Sequence, residues 1–126
     1  MKLNPFRIEA YYGKYEFTAK YMLSSSDAQS CSIGELLALA PTAQEELNNQ
    51  WCGYTEARGA PYLRKAIADI YDTTEAKGVL VCSCAEEGIF LLYQTLLGAG
   101  DHAIIETPCY ESALELARST GADIST

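Results

Sequence analysis

Residues 83–87, SCAEE, join a short apolar run, VLVCS, to a stretch whose apolar residues recur at helical spacing. The first N–H groups of a helix have no partner within the helix and carry partial positive charge, so an anion can settle at such a turn. Glycine would let the backbone approach an anion closely, but this turn carries Cys84 instead. Glu86 and Glu87 add two negative charges, which favour the helix dipole and would repel a phosphate if they pointed at it. Taken alone, the segment also reads as an ordinary strand-to-helix turn with acidic first-turn residues. A second candidate is Tyr110, which follows another apolar run and Pro108. A flat ring held just past a strand end could stack on a planar ligand, or simply cover a sheet edge.

The elements that must position these residues follow from periodicity and capping. An aromatic-rich start predicts a short helix around residues 8–15, on an arm that packs its rings on a body or a partner. The stretch SSSDAQSCS is a loop by composition. Ser32 with Glu35 has the form of a capping box and predicts a helix through Leu36, Leu37, Leu39 and Ala40, stopped at Pro41. Thr42 with Glu45 repeats the signal for the next helix, which ends at Asn48, Asn49 and Gly53. After the polar turn YTEARG, Pro61 opens a helix whose Leu63, Ala66, Ile67 and Ile70 form an apolar stripe.

Residues 79–82 and 103–106 are continuous apolar runs, which suit strands buried on both faces. Between them, residues 85–97 predict a helix with Ile89, Leu92, Tyr93 and Leu96 inward. Residues 111–120 predict a helix closed by Gly121, and residues 122–124 a third strand. Strand, helix, strand, helix, strand is the alternation of an open parallel α/β sheet.

In this order, GYTEARGAPYLRKAIADIY, VLVCSCAEEGIFLLYQTLL and GDHAIIETPCY resemble the first part of the large domain of class I/II aminotransferases, the fold-type I pyridoxal-phosphate enzymes. The resemblance implies the βαβαβ start of a mainly parallel sheet, preceded by a helical arm. It divides the chain into residues 1–41, arm-like, and 42–126, the beginning of the cofactor-binding domain. It implies that Ser83, Cys84, Ala85 and Glu86 cradle the phosphate of pyridoxal 5'-phosphate. Tyr110 is then the aromatic over the pyridine ring, and Tyr54 reaches the cofactor phosphate of a neighbouring subunit in a dimer. Without that context, Tyr54 reads as helix-end packing and Arg64 as a structural tie to a nearby acid or carbonyl. The family acts on amino acids and keto acids, and a loop like residues 24–27 begins its substrate-carboxylate contacts.

The lysines are Lys2, Lys14, Lys20, Lys65 and Lys77, all before the phosphate turn, and none matches the family's cofactor-anchoring lysine. Amino-group transfer needs that amine nucleophile. The resemblance therefore implies a truncated chain, catalytically incomplete alone, or a non-catalytic binding or dimerisation module of aminotransferase descent. It also implies strands between 79–82 and 103–106 that come later in the family, so the sheet is expected to rearrange or its edges to self-associate.

The net charge of −8 argues against non-specific binding to nucleic acid or anionic membrane. No apolar run is long enough to span a bilayer and the N-terminus lacks a signal-peptide core, which predicts a cytoplasmic location. Five cysteines, an odd number without metal-ligand spacing, read as reduced structural thiols. A Gly-rich dinucleotide fingerprint after the first strand is absent.

Overall fold

The computed structural model describes residues 3–126. Three short helices, α1 (Arg7–Tyr15), α2 (Ile33–Leu37) and α3 (Ala43–Asn48), come first. They are followed by α4 (Pro61–Ala68), a 3₁₀ turn at Ala76–Gly78, α5 (Ala85–Leu96), β1 (His102–Ile104), α6 (Glu111–Ser119) and β2 (Asp123–Ser125).

The arm helix α1 packs on α6 through polar contacts separated by about a hundred residues of chain. Arg7 Nε lies 3.1 Å from Glu111 Oε1, and the Ile8 N–H donates to the other Glu111 oxygen at 2.8 Å. Asn4 Nδ2 donates to Glu115 Oε2 at 2.7 Å. Tyr11 and Tyr15, one turn apart, meet in a tilted arrangement with ring centroids 5.0 Å apart and planes at 49°. The arm therefore meets α6 through polar contacts, and the expected packing of its rings on the body is not seen for Tyr11, Tyr15, Phe17 and Tyr21, which stay exposed.

The Ser32–Glu35 capping box forms, with Ser32 Oγ accepting from the Glu35 N–H and Glu35 accepting from the Ser32 N–H. Its helix ends at Leu37, short of the predicted Ala40. The second predicted box does not form. Thr42 is already helical in φ and ψ, so its hydroxyl cannot turn back on the first-turn amides and donates to Glu46 instead.

Pro61 opens α4 as predicted. Arg64 ties the helix to its surroundings by donating from Nε to the Gly59 carbonyl at 3.0 Å and from Nη1 to the Ala76 carbonyl at 3.1 Å. Gly59 has φ +97°, and a Cβ there would lie 2.4 Å from Val81 Cγ2. The backbone of the polar turn therefore runs against the segment that leads into the anion turn. The Val81 N–H donates to the Arg58 carbonyl at 3.1 Å in the same place.

Residues 79–82 do not form a strand. Val79 is extended and buried, but the segment has no ladder partner among the described residues, and Leu80 is exposed. It pairs with neither β1 nor β2, so the expected rearrangement that would pair the first two runs does not occur. The sheet consists of β1 and β2 in parallel, in register His102↔Asp123, Ala103↔Ile124 and Ile104↔Ser125, with α6 as the crossover. Strand, helix, parallel strand is the α/β unit that the alternating pattern predicts, over its last three elements.

With only two three-residue strands among the described residues there is little sheet for the helices to cover, and the predicted stripes are corrected accordingly. Leu63 and Ile70 of the α4 region are exposed, as are Leu92 and Leu96 of α5; Ile67, Ile89 and Tyr93 are half-buried. The buried apolar residues are Ala68, Val79, Ile105, Leu116 and Ala117, which centre on α6 and the sheet. A compact monomer of 13.8 kDa exposes about 6,600 Å². This chain exposes 10414 Å², an excess of about 3,800 Å² over that scaling. Obligate interfaces bury about 2,000–5,000 Å² summed over both partners, or about 1,000–2,500 Å² per chain, so the excess is more than one such interface covers.

Candidate functional site

The candidate anion turn at residues 83–87 leads into a helix where the sequence predicts one. α5 is 12 residues long and begins at Ala85, with Cys84 as an extended N-cap residue whose side chain makes no cap bond. Its first-turn N–H groups point out of the helix start with no intrahelical acceptor.

The two acids of the turn are both engaged. The Glu87 carboxylate accepts from the Ser83 N–H at 2.6 Å and from Ser83 Oγ at 2.7 Å. Those two bonds, the backbone one foremost, hold the Glu87 carboxyl below its ordinary range. The Glu86 carboxylate accepts from Ser112 Oγ at 2.7 Å, and Ser112 is fully buried. Both carboxylates are hydrogen-bonded by neutral donors, which fixes their positions and leaves their negative charge at the helix start. Ser83, however, spends both donors on Glu87, and it would hold an anion only if Glu87 let go.

Tyr110 is the N-cap residue of α6, and a cis Thr107–Pro108 bond precedes it. Its hydroxyl donates to the Glu9 carboxylate of α1. This bond is the largest of the effects that push the phenol up to about 12; burial and the nearby charges of Glu9 and Glu86 add to it. A neutral, tethered phenol holds its ring in one orientation.

Tyr110 and Glu86 line the same open cleft of about 1350 Å³, together with α1 and the loop that begins at Ser24. Tyr12 Oη donates to the Ser24 carbonyl at 2.8 Å and holds that loop to the arm. The structure thus brings together Glu86, Tyr110 and residues 24–27. Ser83, Cys84 and Ala85 are exposed at the α5 start and do not line the cleft. Tyr54 is fully exposed and lies outside it.

Glu9 and Ser112 were not singled out in the sequence. Glu9 is 101 positions from its partner, and nothing in the arm's composition marks it. Ser112 had one available signal, a small hydroxyl in the first turn of a helix that directly follows the candidate aromatic. Among the described residues no group of three or more His, Cys, Asp or Glu side chains could hold a metal ion, and no helix is long and apolar enough to cross a membrane.

The same backbone arrangement occurs in solved fold-type I enzymes. A PLP-dependent aminotransferase from Streptococcus suis superposes with a TM-score of 0.86 and 26% identity, covering 99% of this chain and 34% of that one. The PLP-dependent cyclase OrfR gives 0.85 and 27%, covering 99% of this chain and 33% of that one. The α/β class and its fold-type I form are therefore those of the structure, although residues 79–82 lack a ladder here.

The family model for aminotransferase class I and II matches residues 23–126, and the chain belongs to that family. An aspartate aminotransferase of Pyrococcus horikoshii is 33% identical over 81 residues, 60% of this chain and 21% of the relative. One from Musicola paradisiaca is 32% identical over 82 residues, 60% of this chain and 20% of the relative. The chain thus spans about a fifth of the length of these curated relatives and about a third of the solved structures.

Proposed function

We propose that this chain is the cofactor-facing segment of a PLP-dependent aminotransferase. The start of α5 takes the phosphate of pyridoxal 5'-phosphate and Tyr110 takes its ring. The observation that carries the reading is the shared cleft, with Glu86 of the anion turn and the ring of Tyr110 opening into one space. The residues fit the ring end of the cofactor more closely than its phosphate end. At the phosphate end, Glu86 lies at the cleft, and the N–H groups of Cys84 and Ala85 are offered from the exposed α5 start just outside its lining, with the Glu86 and Glu87 carboxylates bonded to Ser112 and Ser83. At the ring end, the hydroxyl bond to Glu9 fixes the Tyr110 plane.

When bound, the cofactor supplies an aldehyde and an electron-accepting ring for amino-group transfer between amino acids and keto acids. The contribution of this chain is to bind and orient, with residues 42–126 as the cofactor-binding unit and residues 1–41 as an arm that walls the cleft. None of its five lysines follows the anion turn in sequence, so the 126-residue chain on its own performs no amino transfer. The fully exposed Tyr54 suits a contact with a second subunit, and a cytoplasmic homodimer is the assembly that this reading implies.

Equilibrium dialysis against pyridoxal 5'-phosphate tests the reading. Saturable binding that Tyr110→Ala weakens by about tenfold or more supports it, since aromatic stacking contributes about 1 kcal/mol beyond the area it buries. Saturable binding unaffected by Tyr110→Ala, or no binding, refutes it.

A second reading is a non-catalytic dimerisation module of the same descent. It is favoured by the excess exposed surface and by the engagement of Ser83 with Glu87. Self-association without cofactor binding distinguishes it.

A further inference from the structure

Two helix starts lie side by side at the cleft, and one side-chain bond joins them. Glu86 is the second residue of α5 and Ser112 the second residue of α6. Ser112 Oγ donates to Glu86 Oε1 at 2.7 Å across 26 positions of sequence. Ser112 is the one buried polar residue among the described residues, at 0% exposure, whereas Glu86 is half-buried and reaches the cleft. A carboxylate here lies within the first turn of both helices, where two partial positive ends favour it. Tyr110, two positions before Ser112, is the N-cap of the same helix and is close enough to Glu86 for that charge to raise its phenol.

We infer that the Glu86–Ser112 hydrogen bond positions the stacking tyrosine against the anion-binding turn. The inference rests on the functional reading above and assigns both residues a role through other groups rather than through contact with substrate. The turn belongs to α5 and the ring to α6. Their relative placement decides whether one ligand can engage both, and a misplacement of about 1 Å is enough to cost binding or rate. A charge-assisted hydrogen bond from a fully buried hydroxyl is a stiff, directional tie suited to that task. The ties of α1 to α6 and of Glu87 to Ser83 do not link α5 to α6; a further side-chain bond between these two helices, from Gln94 Nε2 to Ser119 Oγ at 3.4 Å, lies at their far ends, away from the turn and the ring.

The test is a double-mutant cycle on the whole 126-residue chain, read by equilibrium dialysis with two probes, pyridoxal 5'-phosphate and inorganic phosphate. Ser112→Ala is expected to weaken the cofactor about tenfold, from loss of a hydrogen bond to a charged group, and to leave phosphate within about twofold. Glu86→Ala should weaken the cofactor relative to phosphate as well, with loss of its charge beside the turn favouring both probes alike. Glu86→Gln, which keeps an acceptor for Ser112, should retain cofactor affinity. The Ser112→Ala/Glu86→Ala double variant should lose no more than either single variant, because one bond is broken in all three. Added to Tyr110→Ala, Ser112→Ala should have no further effect.

Equal weakening of both probes would mean that Ser112 merely supports the turn, and it would overturn the inference. So would additive losses in the cycle, or an unchanged Ser112→Ala. If the wild-type chain binds no cofactor, the functional reading falls and the link falls with it. If wild type binds and the variants do not differ, only the link falls.

Discussion

Replacing Gly59 with alanine should destabilise the chain more than any other glycine substitution tested beside it, for two separable reasons. Gly59 sits at φ +97°, a region that costs a residue with a Cβ about 1–2 kcal/mol. The added Cβ would also stand 2.4 Å from Val81 Cγ2 and 2.6 Å from Val81 Cβ. No rotation of the Val81 side chain relieves the second contact, so the backbone of one segment must move, at about 1–3 kcal/mol. The sum is about 2–5 kcal/mol, of the order of a small domain's whole stability. Gly100 isolates the first component, because it has φ +98° and nothing within 4 Å of an added Cβ; Gly100→Ala should cost only about 1–2 kcal/mol. Gly78, with open space and an ordinary φ, is the control, and Gly78→Ala should fall within about 0.5 kcal/mol of wild type. Urea unfolding followed by far-ultraviolet circular dichroism ranks the three. If Gly59→Ala costs no more than Gly100→Ala, the close approach of the polar turn to Val81 is not what holds residues 79–82.

Acid should release the arm early. Glu111 is held below its ordinary 4.5, first by the Ile8 N–H, and Glu115 likewise, first by its bond from Arg118 and then by Asn4. Carboxyls lowered in the folded state contribute stability that is complete above about pH 4.5 and is lost as pH falls further. Hydrogen exchange on α1 should therefore accelerate below that pH before exchange on α6 does; simultaneous loss would contradict it. At the other extreme, one of the nine tyrosines should ionise near pH 12 in an ultraviolet titration, and Glu9→Gln should bring it back toward 10. The stabilisation from that raised phenol is complete below pH 10 and lost as pH climbs from 10 to 12. Arg64→Lys should destabilise by about 1–2 kcal/mol, because a lysine cannot reach the Gly59 and Ala76 carbonyls together; thermal melts unchanged from wild type would refute it.

What could be read from the residues was local. Pro61 at a helix start, Ser32 three positions before Glu35, and the alternation of α5, β1, α6 and β2 are decided within a few residues of chain. The structure keeps them. The apolar runs predicted burial, but burial needs a second surface. Residues 79–82 have strand composition without a partner strand, and Leu92 and Leu96 have helix periodicity without a sheet beneath them. Thr42 failed as a cap for a reason invisible in composition, its helical backbone angles. At the candidate site, turn chemistry alone left Tyr110 and Glu86 open to ordinary structural roles, and the family resemblance is what marks them. Their tethers, Glu9 and Ser112, lie 101 and 26 positions away and are small or acidic residues of kinds that abound on any surface. Tyr54 was drawn in by resemblance alone, and a single chain offers it no contact in the cleft.

The measurement that bears most directly on the account is a nuclear magnetic resonance titration of the chain, labelled with ¹⁵N, against pyridoxal 5'-phosphate. The amides of Ala85 and Glu86 should shift together with that of Tyr110, saturating at one cofactor concentration. Shifts at the α5 start without Tyr110, or at Tyr110 without the α5 start, would contradict a single site that spans phosphate and ring.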